Sequence, residues 1–245
     1  MNVWGMSDRG IVRQENQDMF LVDAMHERNQ AVIAVCDGMG GARAGNVASE
    51  IAINTFSEEI KDSLKPSMTA GYMKNIAIAA VHAANARVFE KSNESDKLKG
   101  MGTTLVGAIF DEGKTVIVNV GDSRAYLADG AGSIVRITKD HSVVEEMVQR
   151  GEITEEEARN HPHKNLITRA LGADSSTKPD AYSLTLKTGQ SLLLCSDGLT
   201  NMLSDSEILA ELVNNPKPEK CCEKLISCAN GRGGIDNITV ILLKL

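Results

Sequence analysis

Apolar residues in this chain come as short blocks and as helical stripes, and the two alternate only loosely. Runs at 17–22, 31–36, 103–110, 115–120, 124–128, 191–195 and 238–243 are rich in Val, Ile and Leu and end at Gly, Asp or Asn. Blocks of that length and boundary chemistry predict strands. Asp111-Glu112-Gly113 and Asp129-Gly130 have the composition of hairpin turns. Helical spacing places Ile53, Phe56, Ile60 and Leu64 on one face, and an Ala-rich stretch at 73–90 carries Ile76, Ala80, Ala83 and Phe89. Two further helices are predicted at 205–213 and 219–229, the second with Cys221, Leu225 and Cys228 at helical spacing. Ser204 with Glu207, and Thr154 with Glu157, have capping-box spacing. Residues 90–100 read as a polar loop. Strands cluster and helices come in pairs, so the pattern predicts an α+β fold of hairpin-built antiparallel sheets with helices packed outside. Segment 140–172 stands apart, with a helix over Val143–Gln149, a turn at Gly151 and a second helix opened by Thr154. It is expected to be an insertion at one edge of the sandwich. No repeat or Pro/Gly/Ser-rich linker divides the chain, and residues 1–245 are expected to form one domain.

Composition narrows the possibilities without naming one. With 245 residues, 42% of them hydrophobic and 24% charged, the chain is long enough to bury a core unaided. Aromatics are only 3%, too few for base-stacking platforms. A formal charge of −7 has the wrong sign for a nucleic-acid surface or an anionic membrane, so neither partner is expected. No apolar run approaches a bilayer span, and Met1 to Gly10 lacks the features of a secretion signal. The five cysteines include no C-x-x-C pair, which fits reduced thiols and a cytoplasmic setting.

The chemistry lies where strands end. The 31–36 run leads into Asp37-Gly38-Met39-Gly40-Gly41, 191–195 into Ser196-Asp197-Gly198, and 115–120 into Gly121-Asp122-Ser123-Arg124. Asp236-Asn237 immediately precedes the last run. A single Asp-Gly is usually a turn. Four strand-end carboxylates together point to a shared site, because convergent carboxylates repel and need cations. Oxygen donors of this kind select Mg2+ or Mn2+ over zinc. Other signatures fail: Ala125 breaks G-x-S-x-G, Asn46 and Val47 break the phosphate-binding loop, and there is no H-E-x-x-H.

In order along the chain, these motifs resemble the metal-dependent serine/threonine protein phosphatases of type 2C, the PPM family, in their bacterial single-domain form. Arg13-Gln14-Glu15-Asn16-Gln17-Asp18 is similar to the family's Arg-x-x-Asn-x-Asp opening, and Asp37 to Gly41 to its first metal motif. Gly102-Thr103-Thr104, Gly121 to Arg124, Asp140-His141-Ser142, His161-Pro162, Arg169 to Gly172, Ser196 to Gly198 and Asp236-Asn237 follow in family order. The resemblance covers essentially the whole chain.

It implies a four-layer α-β-β-α sandwich of two antiparallel sheets flanked by helix pairs, with metals at one end and a helical flap at about 140–172. It further implies that Asp37 bridges two Mn2+ or Mg2+ ions, that the Gly38 carbonyl binds the second, and that Asp197 and Asp236 hold the first. Asp18 would act through metal-bound water, and Asp122 with Asp197 would form the third site of bacterial members. Arg13 would grip the substrate phosphate, a task suited to a bidentate guanidinium. The implied reaction is hydrolysis of phosphoserine and phosphothreonine in proteins by a metal-bridging hydroxide, with Arg13 and Asp37 catalytic. Expected partners are phosphorylated targets of a cognate serine/threonine kinase, and the expected state is a monomer. One departure is notable. Family members often carry a histidine in or just after the first metal motif, where this chain has Met39 and Ala42, so the general acid is unassigned. That departure keeps open a catalytically weak phosphoprotein-binding module of the same fold. A small-molecule phosphohydrolase is a third reading, although no nucleotide pocket is visible.

Overall fold

The computed structural model describes residues 1–40 and 44–245, so Gly41 of the first metal motif and Ala42 at the missing-histidine position lie outside the described residues. Strands β1 (Asn2–Asp8), β2 (Asp18–Met25) and β3 (Gln30–Met39) precede helices α1 (Ala44–Lys61) and α2 (Ala70–Ser92). Five strands follow: β4 (Gly102–Thr103), β5 (Leu105–Asp111), β6 (Lys114–Val120), β7 (Arg124–Asp129) and β8 (Ile134–Arg136). Short helices α3 (Val143–Gln149) and α4 (Glu155–Arg159) lead to β9 (Asp180–Thr185) and β10 (Gln190–Cys195). The chain ends with α5 (Asp197–Thr200), α6 (Asp205–Asn214), α7 (Pro218–Gly231) and β11 (Ile238–Lys244).

Every strand pairing among the described residues is antiparallel. One sheet runs β1-β11-β10-β7-β8, the other β2-β3-β5-β6-β9 with β4 paired to β3. Strand alternation then sorts side chains into three apolar layers. Ala31, Ile33 and Val35 of β3 meet Val106 and Phe110 of β5, Leu192 and Leu194 of β10, and Ile241 and Leu243 of β11 between the sheets. The intervening Val32, Ala34 and Cys36 pack against Ala48, Ala52 and Phe56 of α1 and Ala77, Ala80 and Ala84 of α2. Leu193, Val240 and Leu242 pack against Ile208 and Leu212 of α6 and Cys222 and Leu225 of α7. The layers are therefore α-β-β-α, as the resemblance implies. Burial on both faces explains why the central strands read as continuous apolar runs.

Several sequence expectations shift. The 103–110 run is two strands, interrupted at Thr104, whose N–H donates to the Asp37 carbonyl (2.9 Å) and whose Oγ1 accepts from the Asp37 N–H (3.0 Å). Leu64 falls beyond the end of α1 at Lys61, although it still packs on the helix-side core. Helix α2 runs to Ser92, so the loop expected at 90–100 begins at Asn93. Three strands, β1, β8 and β9, were not legible. β1, β8 and β9 all lie at sheet edges; β1 mixes apolar residues with Asn2, Gly5, Ser7 and Asp8, β8 has only three residues, and β9 exposes Ser183 and Thr185, so none forms a continuous apolar run. The Glu112-Gly113 turn joins β5 to β6, with both residues at positive φ, as a tight two-residue hairpin requires. The five cysteines are free thiols, and only Cys228 is not fully buried. Among the described residues no helix is long and apolar enough to cross a membrane.

Gly107 marks how closely α1 approaches its sheet. A Cβ placed there would lie 2.7 Å from the Phe56 ring, which is itself fully buried. Gly107→Ala is expected to destabilise the protein by about 1–3 kcal/mol through overpacking. Urea unfolding should show a lower midpoint at unchanged slope.

Candidate metal centre

Antiparallel pairing sets the C-terminal end of one strand beside the N-terminal start of its neighbour. Asp18 opens β2 directly opposite Asp37 near the end of β3. Asp122 lies in the short link between the end of β6 and the start of β7. Cys195, the last residue of β10, pairs with Arg124 of β7 and Val240 of β11, so Asp197 and Asp236 emerge at that same end. Asp18, Asp37, Asp122, Asp197 and Asp236 share one electrostatic field, each acting on one or more of the others. All five sequence-predicted acids thus come together at one end of the sandwich.

The cluster is strained electrostatically. Burial, followed by the charges of Asp18, Asp197, Asp122 and Asp236, pushes the Asp37 carboxyl well above the ordinary range. Burial also raises Asp18 to about 7, against the lowering effect of hydrogen bonds from Thr239 and Ser196. Asp122 is raised by burial and then by Asp197 and Asp140. Asp197 is raised by burial and then by Asp236, with a contact to Asp37 and a hydrogen bond from Asn201 opposing.

Neighbouring polar groups fix these side chains. Asp18 Oδ2 accepts from Ser196 Oγ and Thr239 Oγ1, both at 2.7 Å, and so ties its own sheet to the other. Ser7 Oγ shares a hydrogen bond with Thr239 Oγ1 and accepts from Asn16 Nδ2, while Asn16 Oδ1 accepts from the Asp18 N–H. Asn201 Nδ2 donates to Asp197 Oδ2 (2.9 Å). Thr104 and Ser123 share a buried hydroxyl hydrogen bond of 2.7 Å behind Asp37 and Asp122. Asn237 Nδ2 donates to the Arg9 and Glu15 carbonyls and its Oδ1 accepts from the Gln17 N–H, clamping the loop that carries Arg13. Both Asp-Gly glycines are needed for space: a Cβ on Gly38 would lie 2.3 Å from the Gly45 carbonyl oxygen, and one on Gly198 would lie on the Asn237 carbonyl oxygen.

Arg13 lies beside the cluster and donates from Nη2 to Asp236 Oδ2 (2.6 Å), with its guanidinium half exposed. Among the described residues, no three Asp, Glu, His or Cys side chains are already drawn into a closed ligand cage. Asp236 is turned toward Arg13, and Asp18 Oδ2 is held by hydroxyls. The residues nevertheless fit a divalent cation. Asp18 Oδ1 and Asp197 Oδ1 are buried with no hydrogen-bond donor in the protein. Two orphaned carboxylate oxygens in an all-oxygen acidic cluster are what a hard cation would satisfy.

A cavity of about 620 Å3 runs from Asp122 and Asp197 between α3–α4 and α5–α6. Its floor holds Arg124, which grips Asp140 through Nε and Nη2, with Arg136 and Glu145 alongside. His141 is buried beneath that wall. Its Nδ1 accepts from the Gly121 N–H (3.1 Å), and its Nε2 faces Asp180 Oδ2 (3.3 Å) and Arg169 (3.1 Å). Burial lowers its pKa, and its Nδ1, accepting from the Gly121 N–H, braces the turn before Asp122. His161 and His163 stack loosely on one another near the surface.

The family model for Protein phosphatase 2C matches residues 11–227. The chain belongs to the protein phosphatase 2C family. It is 40% identical to the serine/threonine phosphatase stp of Listeria monocytogenes over 238 residues, covering 97% of this chain and 93% of that one. The Streptococcus agalactiae serine/threonine phosphatase structure superposes with a TM-score of 0.91 at 34% identity, covering 100% and 99% of the two chains. The catalytic domain of the phosphatase PstP, solved in complex with two manganese ions, superposes at 0.85 with 36% identity over 98% and 96%.

Sequence reasoning found the acids and missed most of what holds them. Ser7, Thr239 and Asn201 carry no local signal, because hydroxyl or amide residues near strand and helix ends are common. Asn237 and Ser196 were legible only as neighbours of Asp236 and Asp197.

A carboxyl whose pKa is raised on folding binds its proton more tightly in the folded state. Its contribution therefore favours folding at low pH and is lost as pH climbs from about 4, the ordinary Asp value, through the folded value. Chelator-treated protein should accordingly melt at lower temperature at pH 8 than at pH 5. Mn2+ at about 100 times its Kd should raise the pH 8 melting temperature by about 5–10 °C. Thermal melts across pH 5–8, with and without Mn2+, check this. Equal melting temperatures at all pH values would contradict it.

Proposed function

We propose that residues 1–245 form one catalytic domain that hydrolyses phosphoserine and phosphothreonine monoesters in proteins, using divalent cations held by Asp37, Asp197 and Asp236. The gathering of five carboxylates around two orphaned oxygens, with Arg13 beside them, carries this reading. Membership of the family, and relatives named serine/threonine phosphatases, support the activity. The manganese ions of PstP support Mn2+, with Mg2+ as the alternative. Gly38 would lend its carbonyl to a second ion, and Asp122 with Asp197 would hold a third.

Bound cations would supply charge withdrawal from the phosphoryl oxygens and acidify water, which a slow phosphate-ester hydrolysis requires. The protein residues do the rest. Arg13 orients the phosphate through its planar fork of donors, exchanging its contact with Asp236 for the phosphoryl oxygens. Asp18, fixed through Oδ2 by Ser196 and Thr239, would present its unpartnered Oδ1 to the cation site through water. The turn at Gly121 keeps Asp122 in place through His141, and both His141 nitrogens are committed to that bracing. Segment 140–172 acts as a flap, and the cavity between it and α5–α6 receives the polypeptide on one side of the phosphoresidue. Substrates would be the targets of a cognate serine/threonine kinase, met by a monomer in the cytoplasm.

Phosphate release from a phosphothreonine peptide tests the reading. Mn2+ should support turnover and excess chelator should abolish it. Asp197→Asn should lower kcat by about 10²–10³. Arg13→Lys should act mainly by raising KM, about tenfold, because lysine lacks the bidentate geometry. Stable peptide binding without release would favour the phosphoprotein-binding module instead.

A further inference from the structure

Large aliphatic side chains exposed to water are scattered over most of this surface, but three of them gather beside Arg13. Ile11 is 66% exposed, Val12 62% and Ile235 45%. Val12 precedes Arg13 in the chain, and Ile235 precedes Asp236, so the aliphatic residues flank both members of the Arg13–Asp236 pair.

The two segments that carry them are stitched together. The Ile11 and Val12 N–H groups both donate to the Gly234 carbonyl, at 2.8 and 3.2 Å. Gly10 fits against the Asp236 backbone, where a Cβ would lie 2.2 Å from the carbonyl oxygen. Asn230 Nδ2 and the Gly10 N–H both donate to Asp8 Oδ1, and Asn237 holds the far side of the loop. Ile11 lies back over Gly234, 3.0 Å from where a Cβ would stand. These side chains are thus presented on a fixed backbone, and binding to them costs little ordering of the loops.

We propose that Ile11, Val12 and Ile235 form an apolar ridge that receives an aliphatic side chain of the substrate polypeptide within a few residues of its phosphoserine or phosphothreonine. This rests on the hydrolase reading above and adds a sequence preference to it. The occupant follows from continuity with the site. A polypeptide whose phosphate reaches Arg13 must carry its flanking residues past Val12 and Ile235. Three side chains are far too small an area for a stable subunit interface, which needs about 1,200 Å2. The cavity beside Asp122 and Asp197 is lined mainly by polar and charged residues and contains none of these three. The ridge therefore reads a different stretch of the substrate from the cavity.

The test uses the full chain with Mn2+ and a set of phosphothreonine peptides. Each has a polar background and a single Leu placed in turn at positions −3 to +3. An all-Ser version is the reference, and p-nitrophenyl phosphate reports chemistry without flanking residues. Leu at one or two positions is expected to lower KM about tenfold, equivalent to about 1.4 kcal/mol, with little change in kcat. In the Ile11→Ser/Ile235→Ser double variant, that advantage of Leu over Ser should disappear. Equal kcat/KM across the wild-type peptide set would overturn the proposal, and this readout does not depend on how the variant folds. So would a Leu advantage that survives undiminished in the double variant. No release from any peptide or from p-nitrophenyl phosphate would overturn the hydrolase reading itself, and the ridge proposal with it.

Discussion

Five carboxylates meeting at one end of a double-sheet core repel one another, and the surrounding structure is arranged to withstand that repulsion. At an effective dielectric of about 20, two unit charges about 5 Å apart repel by about 3 kcal/mol. The charges of Asp18, Asp197, Asp122 and Asp236 act on Asp37 in addition to burial. Among the described residues, Arg13, Arg124, Asn201 and a few hydroxyls offset part of the repulsion within the cluster. The protein therefore holds in place a site that is unfavourable without a cation. The stability to do so comes from elsewhere, chiefly the three apolar layers that bury both faces of the central strands.

The hydroxyl network shows how rigidity is transmitted to the site. Asp18 sits on one sheet, while Ser196 and Thr239 belong to the other, so a single carboxylate oxygen ties the two together at the catalytic end. Thr104, between β4 and β5, and Ser123, in the β6–β7 link, share a hydroxyl hydrogen bond behind Asp37 and Asp122. Asn237 fastens the Arg13 loop to the start of β11 through three hydrogen bonds. Catalysis by positioned charges needs this, because a phosphoryl group must meet groups already in place.

Within the fold of its family, this chain gathers five acids at one end of the sandwich. Met39 leaves no histidine within the described part of the first metal motif, and the buried His141 is spent on bracing a turn. The acids are bordered by a polar cavity on the Asp122 side and by the exposed aliphatic residues Ile11, Val12 and Ile235 on the Asp236 side.

The sequence alone was enough for the fold class and for the acids. Central strands are buried on both faces, so runs such as 31–36 and 238–243 are apolar throughout and stand out locally. Asp37, Asp122 and Asp197 sit at strand ends next to glycines, and Gly38 and Gly198 are required there by close backbone contacts. Edge strands such as β1 and β8 left no such mark, since none of their residues is fully buried and each is a strand only through pairing on one side, β1 with β11 and β8 with β7. The split of the 103–110 run at Thr104 was likewise invisible, because it depends on hydrogen bonds to Asp37, 67 residues away. Tertiary structure also decided that Arg13 faces Asp236, separated by 223 residues, and that Thr239 and Ser196 converge on Asp18 from the opposite sheet. Local pattern records what a residue needs from its neighbours in the chain. Which distant charges and hydroxyls share its surroundings is set only when the two sheets pack.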